Sequence, residues 1–157
     1  MASFINDNSI NKGIIVADKG FPLKNIQEAL NKNRELHYLL PLKRDSKLIR
    51  EHDALSWERT IHFGDSALLC RKTAVNSNKY LYSFRDVYRA GKEDMGFVEG
   101  AIRNESFDIE KYKKQKESFG TIVFVSDLDL SEKEVYKIYS ERWLLELMFS
   151  QYKGDEE

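Results

Sequence analysis

Residues 13–42 decide the fold, and they read GIIVADKGFPLKNIQEALNKNRELHYLLPL. Residues 14–17 are mostly β-branched, which is typical of a strand buried on both faces. After a turn at 18–22, apolar residues recur at the spacing of an amphipathic helix: Leu23, Ile26, Ala29 and Leu30. Residues 36–42 predict a second buried strand. A strand, a helix and a strand in this order form a βαβ unit, so we expect two parallel strands.

The pattern changes after this unit. Three runs of β-branched or aromatic residues predict strands, and they lie at 60–63, 67–75 and 79–84. Residues 76–78 (Asn-Ser-Asn) predict a hairpin between the last two. We therefore expect a β-rich insertion over approximately residues 45–104. The charged segment 95–116 predicts a helix, and residues 121–126 predict another buried strand. The expected fold class is α/β.

The strongest helix signal lies near the C-terminus. Ser131 and Glu134 form a capping box, a pattern in which side chains satisfy the first free amides of a helix. Residues 135–152 continue without Gly or Pro, and Gly154 predicts the end of the helix. The sequence thus predicts one long helix after the last strand.

Composition excludes several classes of protein. The chain has 157 residues, with 25 Lys and Arg against 26 Asp and Glu, so a site for a polyanion must be local. The single Cys70 excludes a disulfide framework within the chain and favours the reducing cytoplasm. No run of about 18 apolar residues is present, so we expect no membrane span. Residues 1–12 predict a flexible lead-in, and residues 13–157 one domain.

Asp18 is the first candidate for chemistry. It directly follows the first predicted strand, and open α/β sheets bind their ligands at the carboxyl ends of strands. The alternative is that Asp18 caps the following helix or completes the turn.

The second candidate is one face of the C-terminal helix. Four polar residues follow one another at helical offsets of three, four and seven residues: Tyr139, Arg142, Glu146 and Lys153. The alternative is a solvated face on which Arg142 and Glu146 form an ion pair worth only about 0.3–0.5 kcal/mol. Together with Asp18, however, Glu146 could hold divalent cations through hard oxygen ligands. Two such ions suit in-line displacement at phosphorus, and the neighbouring cations and phenol could hold a phosphodiester.

These residues resemble a known family. The pattern Tyr139-x2-Arg142-x3-Glu146-x6-Lys153 resembles the Y-R-E-K signature of insertion-sequence DDE transposases. Residues 14–21 look like the second-aspartate motif of the same family, and residues 40–44 (Leu-Pro-Leu-Lys-Arg) are also similar to it. The resemblance implies a ribonuclease-H-like core, with the β-rich segment as an insertion.

The resemblance also implies roles. Asp18 and Glu146 would be the second and third catalytic carboxylates and would bind Mg²⁺ or Mn²⁺, with two ions in the complete enzyme. Tyr139, Arg142 and Lys153 would contact phosphates of the transposon end. Trp57, in the insertion, would stack on a flipped base, although a tryptophan packed in the core is the more common case.

The function implied is hydrolysis of DNA phosphodiesters and strand transfer at transposon ends. The partners would be transposon-end and target DNA, and a homodimer in a synaptic complex. The location would be the bacterial cytoplasm, in association with the nucleoid.

One feature departs from the family. The first catalytic aspartate should follow an earlier strand, and no strand-like run ending in Asp precedes Asp18. We therefore expect the C-terminal part of a transposase catalytic domain, with little or no strand transfer by itself. The alternative function is an inactive truncated remnant that only binds DNA or the intact transposase. A basic cluster could follow a DNA backbone or merely solvate the surface, and it consists of Lys43, Arg44, Lys47 and Arg50.

Overall fold

The computed structural model describes residues 2–6, 13–17 and 36–141. Its strands are β1 (Ala2–Asn6), β2 (Gly13–Ala17), β3 (Leu36–Pro41), β4 (Arg59–Phe63), β5 (Ser66–Asn76), β6 (Lys79–Asp86) and β7 (Thr121–Ser126). Its helices are α1 (Lys47–Glu51), α2 (Val87–Arg103), α3 (Ile109–Lys116) and α4, which is described over 132–141. The predicted amphipathic helix over residues 23–33 lies outside the described residues.

The seven strands form one mixed sheet in the order β1-β2-β3-β7-β6-β5-β4. Strands β2 and β3 are parallel, with Gly13 beside Leu36 and Val16 beside Leu39, and this confirms the parallel pair predicted for the βαβ unit. The other neighbouring strands are antiparallel. The mixed architecture confirms the α/β class and is consistent with a ribonuclease-H-like domain.

The N-terminal segment differs from its prediction. We predicted a flexible lead-in over residues 1–12, but Ala2–Asn6 form β1, which pairs with β2 from Ala2 beside Ala17 to Asn6 beside Gly13. The prediction is wrong for these five residues. The strand is held by backbone hydrogen bonds to the edge of β2, and such pairing leaves no periodic signal in a segment this short.

The predicted β-rich segment is confirmed in its strands and wrong at its end. Strands β4, β5 and β6 lie where they were expected, and the β5–β6 hairpin turns after Asn76. However, α2 occupies the last part of the 45–104 range, and the helix predicted over 95–116 is two helices. The reason is capping, because the Asp86 and Asp108 carboxylates each accept hydrogen bonds from the first free amides of α2 and α3.

The core lies on both faces of the sheet. Alternate residues of β7 point to opposite sides, so Val123 and Val125 pack on the α1 side while Phe124 packs on the α4 side. Cys70 is fully buried on the α4 side. Burial, together with the charge of Glu132, raises the pKa of its thiol to about 11.

Helix α4 starts as its capping box predicts, since the Glu134 amide donates to Ser131 Oγ at 3.2 Å. Val135 of this helix is buried, and the Tyr139 ring packs against the Phe124 ring with centroids 4.8 Å apart. The helix begins beyond the end of β7 and runs back across the sheet. It therefore approaches the edge at which β2 and β3 end and β7 begins, called the carboxyl edge below.

Candidate nucleic-acid interface

A cavity of about 200 Å³ lies at the carboxyl edge, and we call it the edge cavity. Leu42, which follows β3, and Ile122, near the start of β7, belong to its apolar wall. Its polar lining consists of Arg44, Arg89, Ser118, Thr121 and Tyr139. These residues come from distant parts of the chain, and the order of the strands together with the packing of α2 and α4 brings them together.

Arg44 is fixed at the wall of this cavity. Its guanidinium donates two hydrogen bonds of 2.9 Å to the Glu93 carboxylate, and it lies 3.4 Å from the Thr121 carbonyl oxygen. The Gly120 amide donates to the same carboxylate at 2.8 Å. Burial alone would raise the pKa of Glu93, but the bonds from Arg44 and Gly120 outweigh it, so the pKa lies below its usual value. Arg44 is therefore oriented, and its charge is balanced.

Arg89 contributes a second cation to this cavity, and its charge also helps to lower the pKa of Glu93. It lies in the first turn of α2, is exposed, and lines the edge cavity together with Tyr139. Within residues 2–6, 13–17 and 36–141, its guanidinium has no hydrogen bond or ion pair. An exposed guanidinium at a cavity wall suits bidentate binding of a phosphate group.

Tyr139 is the one member of the predicted helix face that the structure describes. It is half-buried, packs on Phe124 and lines the edge cavity. Four other predicted site residues lie outside the described residues, and they are Asp18, Arg142, Glu146 and Lys153. The roles of these four residues therefore stay predictions.

Trp57 lines a second cavity, of about 420 Å³, which we call the Trp57 cavity. The tryptophan is half-buried in the segment between α1 and β4. Arg85 shares the lining, and its Nε is buried with no hydrogen-bond partner in the described part of the chain. Leu55 lines both cavities, so the two adjoin. This position differs from that of a fully enclosed core tryptophan.

The predicted metal ligands stay untested by the geometry. Among the described residues, no group of three or more His, Cys, Asp or Glu is placed to hold a metal ion. Asp18 follows Ala17, the last residue of β2, in the sequence, and Glu146 follows the described part of α4. Their carboxylates are the hard oxygen donors that Mg²⁺ and Mn²⁺ prefer.

At the opposite edge of the sheet, where β3 begins and β7 ends, polar groups bind one another. The Asp127 carboxylate pairs with His37 Nδ1 at 3.0 Å and accepts from the Tyr38 amide at 3.0 Å. Nearby, Lys72 Nζ donates to Asp129 and to the Leu130 carbonyl. His37 is half-exposed and is paired with Asp127. We call this edge the amino edge.

Sequence reasoning missed Arg85 and Arg89 as candidates. Each lies near the junction of β6 and α2, and each reaches its cavity because β6 pairs with β7 from Tyr80 beside Ser126 to Arg85 beside Thr121. No short motif marks such residues. The signal that was present is Asp86, which caps α2 and thereby places Arg89 in its first turn.

The chain was compared with known proteins. It matches the sequence model of one family, described as the transposase DDE domain, over residues 3–155. No curated protein and no solved structure gave a match. In the described part of the chain, no helix is long and apolar enough to cross a lipid bilayer.

Proposed function

This chain belongs to the transposase DDE domain family, and from that membership we propose that it takes part in cutting and joining DNA at transposon ends. The reaction proposed is hydrolysis of a DNA phosphodiester followed by strand transfer, carried out in the complete transposase. DNA is the partner that the family implies.

One observation supports this proposal above the others. Tyr139 and Trp57 were assigned to DNA from distant parts of the sequence, and they line cavities that adjoin through Leu55. A phosphate and its neighbouring base are joined by one sugar, so a protein that holds both needs two adjoining sites. Phosphate contacts position the DNA, and stacking holds an extruded base.

The side chains at the carboxyl edge have different roles in the proposed binding of DNA. Arg89 is the cation that a phosphate would meet, while Arg44 is held by Glu93 and keeps the wall of the cavity in place. We propose that Tyr139, Arg142 and Lys153 add a hydrogen bond and charge to the same phosphates. Trp57 would stack on a base in its cavity.

Members of this family generally use divalent metal ions. We propose that Asp18 and Glu146 hold Mg²⁺ or Mn²⁺ at the carboxyl edge. The bound ions would activate the attacking oxygen and stabilise the leaving oxygen. The roles of Arg89, Arg44 and Tyr139 in binding DNA do not require the ions to be present.

The proposal extends to the assembly and the location of the protein. Two copies would hold the paired transposon ends in a synaptic complex, which would also bind target DNA. The work would take place in the bacterial cytoplasm, on DNA of the nucleoid.

The test uses the complete transposase and DNA that carries the transposon ends. We expect Glu146→Gln to abolish cleavage in Mg²⁺ or Mn²⁺ while end binding persists, because the amide is a poor metal ligand but retains the shape of the side chain. Glu141→Gln is the matched control, since Glu141 is an exposed carboxylate of α4 close to Glu146 in the sequence, and it should cleave as the wild type does.

Two results would count against this assignment. Wild-type cleavage by Glu146→Gln would remove Glu146 from the catalytic site. End binding without cleavage by the wild-type protein, in either metal, would instead support the alternative of a remnant that only binds DNA or the intact transposase.

A further inference from the structure

Helix α2 carries an apolar stripe on its exposed side. The large apolar residues that are most exposed in the described chain all lie between 87 and 109: Val87, Tyr88, Met95, Ile102, Phe107 and Ile109. Tyr88, Met95 and Ile102 are seven residues apart and are 73%, 61% and 69% exposed. Seven residues make about two helical turns, so the three side chains lie in one line, which we call the α2 stripe.

The other side of α2 is bound to the rest of the molecule. Ala90 is buried, Glu93 binds Arg44 and Gly120, and Phe97 packs against Phe119 with ring centroids 5.9 Å apart. Asp94 accepts a hydrogen bond of 2.6 Å from the Tyr112 hydroxyl of α3. These contacts fix the rotation of α2 about its axis, and the α2 stripe therefore stays turned toward solvent. A line of exposed large apolar side chains of this kind indicates an interaction surface in soluble proteins.

The charges beside the stripe indicate which partner fits. Lys92 and Glu99 are both exposed, lie along the same flank of the stripe and have opposite signs. The Lys92 ammonium lies 4.6 Å from the centre of the Tyr88 ring, beside the stripe itself. Two antiparallel copies of α2 that cross near Met95 bring Lys92 of each copy beside Glu99 of the other. In a parallel pair this flank would face the other flank of the partner helix, so Lys92 of one copy would not meet Glu99 of the other.

Space for close approach is also present. Gly91 lies on the stripe between Tyr88 and Met95, and a Cβ atom placed on it would have no other atom within 4 Å. A second helix can therefore approach the backbone of α2 at that point without displacing a side chain.

We propose that the α2 stripe binds the α2 stripe of a second copy of this chain, in an antiparallel arrangement with a two-fold axis near Met95. The surface is self-complementary, as a two-fold interface requires. Its apolar line supplies the burial, and two Lys92–Glu99 pairs set the direction. The proposal does not rest on DNA cleavage, since it concerns a side of α2 that contacts neither cavity.

Sedimentation velocity of the full chain over a concentration series tests the proposal. We expect the wild type to be in equilibrium between monomer and dimer. Lys92→Glu and Glu99→Lys should each raise the dimer Kd about two- to tenfold, because each places two like-charged pairs in the dimer. The double variant Lys92→Glu with Glu99→Lys restores opposite charges and should return the Kd to that of the wild type. Lys111→Glu, the same charge change on an exposed position of α3, should leave the Kd unchanged.

A second variant tests the apolar part. Met95→Lys puts two ammonium groups at the two-fold axis and should abolish the dimer, with circular dichroism confirming that the chain remains folded. If this variant does not fold, the charge-exchange series still decides. A wild type that is monomeric at every soluble concentration would overturn the proposal. So would a double variant as weak as the single ones, a dimer that Met95→Lys leaves intact, or one that Lys111→Glu weakens equally.

Discussion

The two edges of the central sheet differ in how their polar side chains are paired. At the amino edge, Asp127 binds His37 and the Tyr38 amide, and Lys72 binds Asp129. At the carboxyl edge, Arg44 is paired with Glu93, but Arg89 lines a cavity and makes no hydrogen bond or ion pair in the part of the chain described, although its charge acts on Glu93. Paired groups hold a loop, whereas an unpaired cation beside a cavity can bind a ligand. We therefore expect the polar groups of the amino edge to stabilise the fold and those of the carboxyl edge to bind a ligand.

The largest effect on this comparison is expected from Tyr82, at the amino edge. Its buried hydroxyl accepts from the Leu130 amide at 2.9 Å and donates to the Leu128 carbonyl oxygen. Tyr82→Phe leaves both backbone groups without this partner, so we expect the free energy of unfolding to fall by about 1–3 kcal/mol. Urea unfolding measures it. DNA binding by the folded variant should be unchanged, and a loss of affinity without a loss of stability would reverse the assignment of the two edges.

The next effect is expected from Arg89, at the carboxyl edge. Arg89→Ala should lower affinity for transposon-end DNA and reduce the slope of log K against log salt by about one, as the loss of one phosphate contact does. Its stability should stay within about 0.5 kcal/mol of the wild type. Filter binding over a salt series measures the slope. Arg103→Ala, at the far end of the same helix, is the control, and an equal slope change there would contradict a local phosphate site.

The smallest effect is expected from Glu93. Because its folded pKa lies below the usual value of 4.5, its pairing stabilises the protein above that pH, and this contribution is lost as the pH falls through the folded pKa. Glu93→Gln should therefore cost about 0.5–1 kcal/mol near neutral pH and progressively less in acid. Urea unfolding at several pH values measures the difference. Arg44→Gln should give the same profile, and additive effects in the double variant would show that the two residues do not act as a pair.

Much of the fold could be predicted because its strands carry their own patterns. The β-branched runs of β2 and β7 identified them as buried strands, and the Asn76–Asn78 turn identified the β5–β6 hairpin. The sequence did not predict β1, since its pairing depends on the exposed edge of β2 rather than on its own residues. It also placed the start of α2 too late, because residues 87–94 include Val87 and Gly91 and have weak helix propensity without their Asp86 cap.

The candidate site could be predicted only where the residues belong to a local pattern. Tyr139 belongs to a helical spacing, and Trp57 was selected because it lies in the insertion. Arg89 and Thr121 meet Tyr139 through the order of β6, β7 and β3 in the sheet, and that order cannot be read from spacing along the chain. This part of the site could not be predicted, because it depends on long-range strand pairing.

Gly120 allows the sheet and the first turn of α2 to pack closely against each other. It has a positive φ of 70°, and a Cβ atom there would lie 2.5 Å from the Asp86 carbonyl oxygen and 2.6 Å from the Ala90 nitrogen. The residue before β7 thus packs directly against the first turn of α2. Arg89 and Met95 lie about 9 Å apart along the helix axis, at 1.5 Å per residue. The spacing along α2 therefore sets the distance between a partner bound to the α2 stripe and the edge cavity.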